Sequence, residues 1–298
     1  MTATAERPTR TRAVRPSTKN PTRHRGDALS STVVHALLIV FAFFAIAPVL
    51  VIVMNSFKTT PGIFGSPFAL PDAETFSVQG WLNVVSRGNF GVNYANSIIV
   101  TVSTIVLTII LGTFAAWALV EYNVRISAVL TGFFIVGIML PIRLGTVPLL
   151  QTMVAWGLVD TLTSLVLVYT AMQLPLAIAL MMSYFRAVPT ELKEAARMDG
   201  ASEFGVMRIA LPLVRPGLAA VASITMLPVW NDLWFPLILA PSKPNQTVTL
   251  GVQQFVGQFQ TDYPALLAAL TLGAVPLIVL FTVFSRQFVQ GLSAGYGK

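Results

Sequence analysis

The stretch Glu194-Ala195-Ala196-Arg197-Met198-Asp199-Gly200-Ala201, followed by Ile209-Ala210-Leu211-Pro212, decides how this chain is read. It lies in a charged island, residues 186–215, between two apolar runs. Pro189 and Thr190 mark a helix start, with Thr190 as the expected cap. Glu191 and Glu194 fall in the first turn or just beyond it, where carboxylates suit the positive end of the macrodipole. Glu194 and Arg197 are three residues apart and can pair on one helix face. Gly200 is a natural left-handed stop, and Ser202 can cap a second short helix running towards Pro212. The expectation is a helix-turn-helix outside a bilayer, its surface kept shallow by Ala195 and Ala196.

A bilayer is implied by composition. Of 298 residues, 55% are hydrophobic and 10% charged, whereas a soluble domain carries about a quarter charged residues. There is no cysteine, which removes disulfides, thiolate metal sites and cysteine nucleophiles together. The only histidines are His24 and His35, so neither a histidine metal site nor a histidine catalytic centre is expected. The net charge of +7 does not point to nucleic acid, because seven of the Lys and Arg residues sit in the first 29 positions. That segment, 1–29, is rich in Thr and Pro and reads as a disordered basic tail facing anionic lipid. The apolar run after it is too long for a cleaved signal and ends in no small-residue cleavage site.

About 20 mostly apolar residues make a membrane helix. Runs 33–54, 98–120, 162–185 and 263–284 qualify; 126–142 runs into Arg143 and then continues as Leu-Gly-Thr-Val-Pro-Leu-Leu, and 218–239 is interrupted by Asp232. Six spans in 30–298 put both termini on one side. With that side cytoplasmic, inner segments hold fifteen of the nineteen Lys and Arg, leaving Lys58, Arg87, Arg143 and Lys243 outside. The long outer segments are 56–93, where Trp81 marks a short interfacial helix, and 241–262. Seven prolines within or beside spans, Pro141, Pro175 and Pro228 among them, imply kinks.

The order Glu-Ala-Ala, three residues to Gly, then Ile-x-Leu-Pro resembles the coupling loop of permease subunits in binding-protein-dependent ABC importers. Trp230-Asn231-Asp232-Leu233-Trp234, the segment from Gln246 to Tyr263, and the tail Arg286-Gln-Phe-Val-Gln-Gly-Leu-Ser-Ala-Gly295 resemble the carbohydrate branch of that family, the maltose type. The likeness runs from about residue 30 to the end. It implies an all-α fold with six transmembrane helices, the type I permease architecture, carrying a cytoplasmic coupling helix-turn-helix. Glu194, Ala195, Ala196, Asp199 and Gly200 would then meet a cytoplasmic ATPase dimer. A second related permease, an extracytoplasmic substrate-binding protein, lipid and a sugar complete the implied partners. This chain would bind no cofactor, since ATP and magnesium act on the ATPase. Arg143-Leu144-Gly145-Thr146 departs from the plainly apolar pattern of many relatives.

Other residues stand out on chemistry. Asp232 is the only acid inside a span; such a carboxylate faces a cavity or a partner. With Trp230, Asn231 and Trp234 it could bind a sugar, aromatic faces stacking on the ring and polar groups on its hydroxyls. The competing role is structural, with Arg143 as partner. Gln173 lies at the centre of the fourth span, on one face with Tyr169, and either lines a path or bonds another helix. The stripe Thr101, Thr104, Thr108, Gly112 and Ala115 reads as close helix packing. Gln253, Gln254 and Gln258 lie in an outer loop that is either simply solvated or, as the family resemblance implies, a contact surface for the binding protein.

No phosphate-cradling Gly-x-x-x-x-Gly-Lys-Ser/Thr, no His-Glu-x-x-His and no Gly-x-Ser-x-Gly occurs in the sequence, so ATP hydrolysis is assigned elsewhere. A related permease for glycerol phosphate, a polyamine or a peptide is the nearest alternative, and Arg143 would be its only cationic candidate on the path. A secondary transporter would be expected to show paired broken helices in corresponding halves or several intramembrane ionisable groups, and the sequence shows no internal repeat and one acid within a span. A structural scaffold would leave the island unexplained.

Overall fold

The computed structural model describes residues 25–87, 89–122, 125–257 and 260–294. Among them are thirteen α-helices: α1 (Arg25–Asn55), α2 (Thr60–Gly65), α3 (Gln79–Arg87), α4 (Phe90–Glu121), α5 (Arg125–Met139), α6 (Thr146–Ala155), α7 (Leu162–Arg186), α8 (Thr190–Met198), α9 (Glu203–Ala210), α10 (Arg215–Asn231), α11 (Trp234–Leu239), α12 (Val248–Val252) and α13 (Tyr263–Ala294). The chain divides into two units, Met1–Pro48 and Val49–Lys298. The described part of the first is the beginning of α1, which starts inside the segment read as tail. The side chains of residues 32–46, Leu37, Phe41 and Phe44 among them, are exposed on every side of the helix, as suits a helix in apolar surroundings.

In the second unit α4 packs along α7, and α10 lies against both. Close approach there rests on small residues. Gly112 of α4 faces Ala177 of α7, where an added Cβ would stand 3.2 Å from the alanine methyl. Thr101, Thr104 and Thr108 are buried on the same stripe. Gly217 of α10 lies so near the Tyr184 ring that a Cβ would be 2.6 Å from it. Lipid is as apolar as leucine, so packing of this kind, rather than burial from water, holds the spans together.

Two spans are broken. The third runs only over α5, 15 residues long, then turns 93° into α6. Pro141, with no N–H to give, begins the turn at φ −70° and is followed by a 3-10 turn at Ile142–Gly145. The fifth stops at Asn231, and Asp232 and Leu233 separate it from α11.

The segments between spans are folded rather than bare. Residues 56–78 form a small lobe on the end of α1. Lys58 is fully buried there (0% exposed) and its Nζ donates to the Ser66 carbonyl at 2.7 Å, at the end of α2. Asn55 Nδ2 donates to the Pro67 carbonyl at 2.8 Å, and Phe57 stacks on Trp81 at 5.1 Å. Trp81 lies in the amphipathic α3, as its sequence suggested. Gly80 lets α3 touch the backbone of Pro264 at the start of α13. Segment 241–262 holds α12 and two 3-10 turns. It is tied back by Asn96 Nδ2 to the Pro244 and Gln246 carbonyls (2.8 and 3.0 Å) and by the Val248 N–H to Ser97 Oγ (2.8 Å).

Candidate functional site

The island is a helix-turn-helix docked on the end of the bundle. α8 begins at Thr190, but Pro189 occupies the cap position and no side chain caps it; the proline fixes the entry and Thr190 is already inside the helix, so the expected threonine cap is not used. Gly200 has φ +82°, the conformation that glycine adopts without strain. Ser202 Oγ accepts from the Gly205 N–H at 3.3 Å and caps α9. Val206, Met207 and Ala210 pack with Phe185, Met181 and Trp117 of α7 and α4 in one buried cluster. Outside the lipid, each such large side chain adds about 1.5–3 kcal/mol.

Arg197 does not pair with Glu194. Its Nε and Nη2 bond the Glu203 carboxylate at 2.8 and 3.1 Å, and Nη2 also reaches Glu121 Oε2 at 2.8 Å. Lys193 Nζ meets Glu121 Oε1 at 2.5 Å. The three-residue spacing was outcompeted because two acids from other helices reach the same guanidinium with better geometry. Sequence reasoning missed Glu121 altogether. It ends α4, where the helix dipole disfavours a carboxylate, and its side chain is only 7% exposed. That combination, an acid at the wrong end of an apolar helix, was the available signal. Lys193 and Glu121 are 9% and 7% exposed, so removing one of that pair leaves the other charge buried and costs about 3–5 kcal/mol, whereas the half-exposed Arg197–Glu203 pair adds less. The hydrogen bonds from Arg197 hold the Glu203 carboxyl below the usual carboxylate range.

The island therefore has two faces. Lys193, Ala196 and Arg197 turn towards α4, α7 and α9, whereas Glu194, Ala195, Met198, Asp199 and Gly200 are exposed. Of the five residues singled out by sequence, four share the open face, and Ala196 is buried beneath it.

Of the residues around the break in the fifth span, Trp230 and Asn231 line one cavity, while Asp232 and Trp234 are engaged elsewhere. Trp230 is buried, its Nε1 donating to the Gly273 carbonyl at 3.0 Å and its ring edge-on to Tyr94 at 5.6 Å. Asp232 does not pair with Arg143. Its Oδ2 accepts from Tyr169 Oη at 2.8 Å and from the Phe235 N–H at 3.0 Å, and Oδ1 accepts from the Trp234 N–H at 3.3 Å. The carboxylate thus satisfies N–H groups freed by the helix break. Arg143 instead lies over the Trp234 ring, 5.6 Å from its centroid, and Trp234 Nε1 donates to Thr146 Oγ1 at 3.0 Å. The two broken spans are joined at their breaks.

Asn231 faces a cavity of about 590 Å³ between the end of α1, α10, α12 and α13, which Thr249, Gln253 and Thr271 also line. Its Nδ2 donates to the Leu227 carbonyl at 3.0 Å, and the hydroxyls of Thr249 and Thr271 are taken by backbone carbonyls. The Asn231 side-chain amide and the Gln253 amide can donate and accept towards an occupant, and the Thr249 and Thr271 hydroxyls can still accept, in an otherwise apolar wall. Gln173 is elsewhere, half-buried beside a separate cleft of about 510 Å³ lined by α5 and α7. Gln253 and Gln254 are exposed; Gln258 lies outside the described residues. Among the described residues no group of three or more His, Cys, Asp or Glu is placed to hold a metal ion.

This architecture, broken apolar spans with an amphipathic helix pair clamped to one end, is that of a membrane permease component. Residues 108–293 match the family described as binding-protein-dependent transport system inner membrane component. The chain belongs to this family, whose members are multi-pass transport components of ABC importers rather than enzymes. It is 33% identical over 272 residues to the diacetylchitobiose uptake system permease protein NgcG of Streptomyces coelicolor, covering 90% of this chain and 89% of that one. Identity is 34% over 279 residues to the probable ABC transporter permease protein YurM of Bacillus subtilis (91% and 89% covered). It is 31% over 258 residues to the trehalose transport system permease protein SugB of Mycobacterium tuberculosis (86% and 93%). The fold matches a chain from a bacterial ABC transporter involved in import of the acidic polysaccharide alginate, with TM-score 0.78, 22% identity, and 90% of this chain and 100% of that one covered.

Proposed function

We propose that this chain is a permease subunit of an ABC importer for saccharides and forms the translocation path with a second, related permease. The observation that carries the reading is the two-faced island: one face locked onto α4 and α7, the other presenting Glu194, Ala195, Asp199 and Gly200 away from the bundle. Named relatives that handle diacetylchitobiose, trehalose and arabinooligosaccharides support a sugar as substrate. The excess of Lys and Arg on the island side supports cytoplasmic termini and a cytoplasmic ATPase dimer beneath the island.

In this reading ATP and magnesium act on the ATPase, and closure of its dimer moves the island. Because the island is bonded to α4 and packed on α7, it moves with them as a body. Asn231 and Gln253 offer neutral hydrogen-bonding groups to a sugar, while Trp230, Asp232, Trp234 and Tyr169 hold the shape of the wall. Gln173 lines a second apolar cleft, where it could meet substrate or the partner permease. Gln253 and Gln254 face the extracytoplasmic binding protein.

The test is purification of the tagged chain from its host membranes, followed by assay of ATP hydrolysis in liposomes with the cognate binding protein and a panel of oligosaccharides. Co-purification of an ATPase stimulated by a saccharide-loaded binding protein is expected. An isolated chain, or an ATPase stimulated only by peptides or polyamines, would overturn the assignment.

A further inference from the structure

Glu121 has no place in the path or on the open face of the island, yet among the described residues it is the most constrained carboxylate at that end of the molecule. It closes the C-terminus of α4, a helix of 32 residues that reaches the opposite end, where Asn93 and Asn96 pack under α12. Both of its oxygens are engaged, one by Lys193 and one by Arg197, residues one helical turn apart on α8. Arg197 passes the connection on to Glu203 of α9. Four side chains thereby tie both island helices to the tip of a single span. The apolar contacts beside them can slide, since dispersion is non-directional. A pair of charge-assisted bonds cannot slide without breaking.

We propose that Glu121 is a positioning residue for transport, the joint through which displacement of the island is delivered to α4 and hence to the path lined by α10 and α12. This deepens the importer reading and rests on it. α8 is held by its inner face to Glu121, so a push on its outer face at Glu194 and Ala195 is carried as a rigid lever. Without the joint, the island would rock on its apolar contacts and part of the stroke would be lost.

The experiment uses the assembled importer in liposomes and reads two quantities: saccharide imported per ATP hydrolysed, and cross-linking of a cysteine at position 195 to the ATPase. The chain has no native cysteine, so Ala195→Cys is the sole thiol in this subunit. Glu121→Gln should lower transport per ATP roughly fivefold or more, the scale of ordinary coupling between sites, while the cross-link persists. Glu121→Asp should restore part of the loss. Glu121→Lys should fail, because it sets an ammonium against both Lys193 and Arg197; adding Lys193→Glu should recover only part of the loss, since one pair is rebuilt with its charges exchanged while Arg197 keeps Glu203 but faces a cation.

Unchanged transport per ATP in Glu121→Gln would overturn the proposal. So would loss of the cross-link in that variant, since Glu121 would then serve only to fold the island. Absence of the cross-link in the chain carrying native Glu121 would overturn the coupling reading itself and this proposal with it, an outcome distinct from the other two.

Discussion

Tyr169 donates a 2.8 Å hydrogen bond to Asp232 and so ties the first half of α7 to the point where the fifth span breaks. The same carboxylate accepts two backbone N–H groups from the residues that follow it. An acid in this position is a helix terminator with a partner, and its removal should be felt as stability. Asp232→Ala strands one hydroxyl and two amides and should cost about 2–3 kcal/mol, seen as a lower unfolding temperature in detergent. Asp232→Asn, which keeps an acceptor, should cost less. If Asp232→Ala is stable and only uptake kinetics change, the carboxylate is a ligand for substrate and not a clasp.

The open face of α8 carries Glu194 away from the bundle. Glu194→Lys should leave insertion and assembly intact and abolish most of the stimulation of ATP hydrolysis by loaded binding protein. Stimulation equal to that of the native complex would remove Glu194 from the ATPase contact.

Gln253 and Gln254 are exposed beside α12. Replacing both with alanine should reduce transport at low binding-protein concentration and restore it, at least partly, when that protein is in excess. An unchanged dose response would make the segment a connector only.

Gly217 meets the face of Tyr184. A valine there has nowhere to place its Cβ, which would fall 2.6 Å from the ring. Gly217→Val should destabilise the bundle by about 1–3 kcal/mol, read as lost yield of folded protein on gel filtration, and Tyr184→Ala should relieve much of it. A stable single variant would mean that α10 shifts freely against α7.

Two carboxylates outside the spans make acid sensitivity predictable. Hydrogen bonds from Ser242 hold Asp160 below the ordinary carboxylate range, and those from Arg197 do the same for Glu203. A folded-state value below the unfolded one gives stabilisation that is complete above roughly pH 5 and is lost as pH falls through the folded value. The unfolding temperature should therefore drop between about pH 5 and pH 3. Asp160→Asn with Glu203→Gln should narrow the drop; an identical profile would assign the acid sensitivity to other groups.

What the sequence disclosed was what its neighbours along the chain determine. Gly200 and Ser202 act as read because a left-handed stop and a serine cap need only the next three residues. Asp232 was legible as an interruption because a carboxylate is too costly in an apolar run to sit there without a break, a cavity or a partner, whereas Pro141 was read only as a kink and not as the end of the third span. The partners were not legible. Tyr169 lies 63 positions from Asp232, and Glu121 lies 76 from Arg197; no local spacing points to either. The Glu194–Arg197 pair was expected from spacing alone and lost to two acids that only tertiary structure brings near. Trp230, Asn231, Asp232 and Trp234 looked like one sugar-binding group because they are nearly consecutive, but the helix breaks after Asn231, so Trp230 and Asn231 share a cavity while Asp232 and Trp234 go to other neighbours.

The bonds that close the end of the bundle opposite the island join distant parts of the sequence. Asn83 donates to Asp262, 179 residues later, and Asn96 binds carbonyls 148 and 150 residues later. During synthesis these amides are made early and wait for acceptors that emerge only when nearly the whole chain has been translated. Until Pro244 and Gln246 are made the second span is unsealed at that end, and until Asp262 is made the Asn83 amide lacks its acceptor. A nascent chain halted before Pro244 would carry both amides without these acceptors, so that end closes only after five spans have been made.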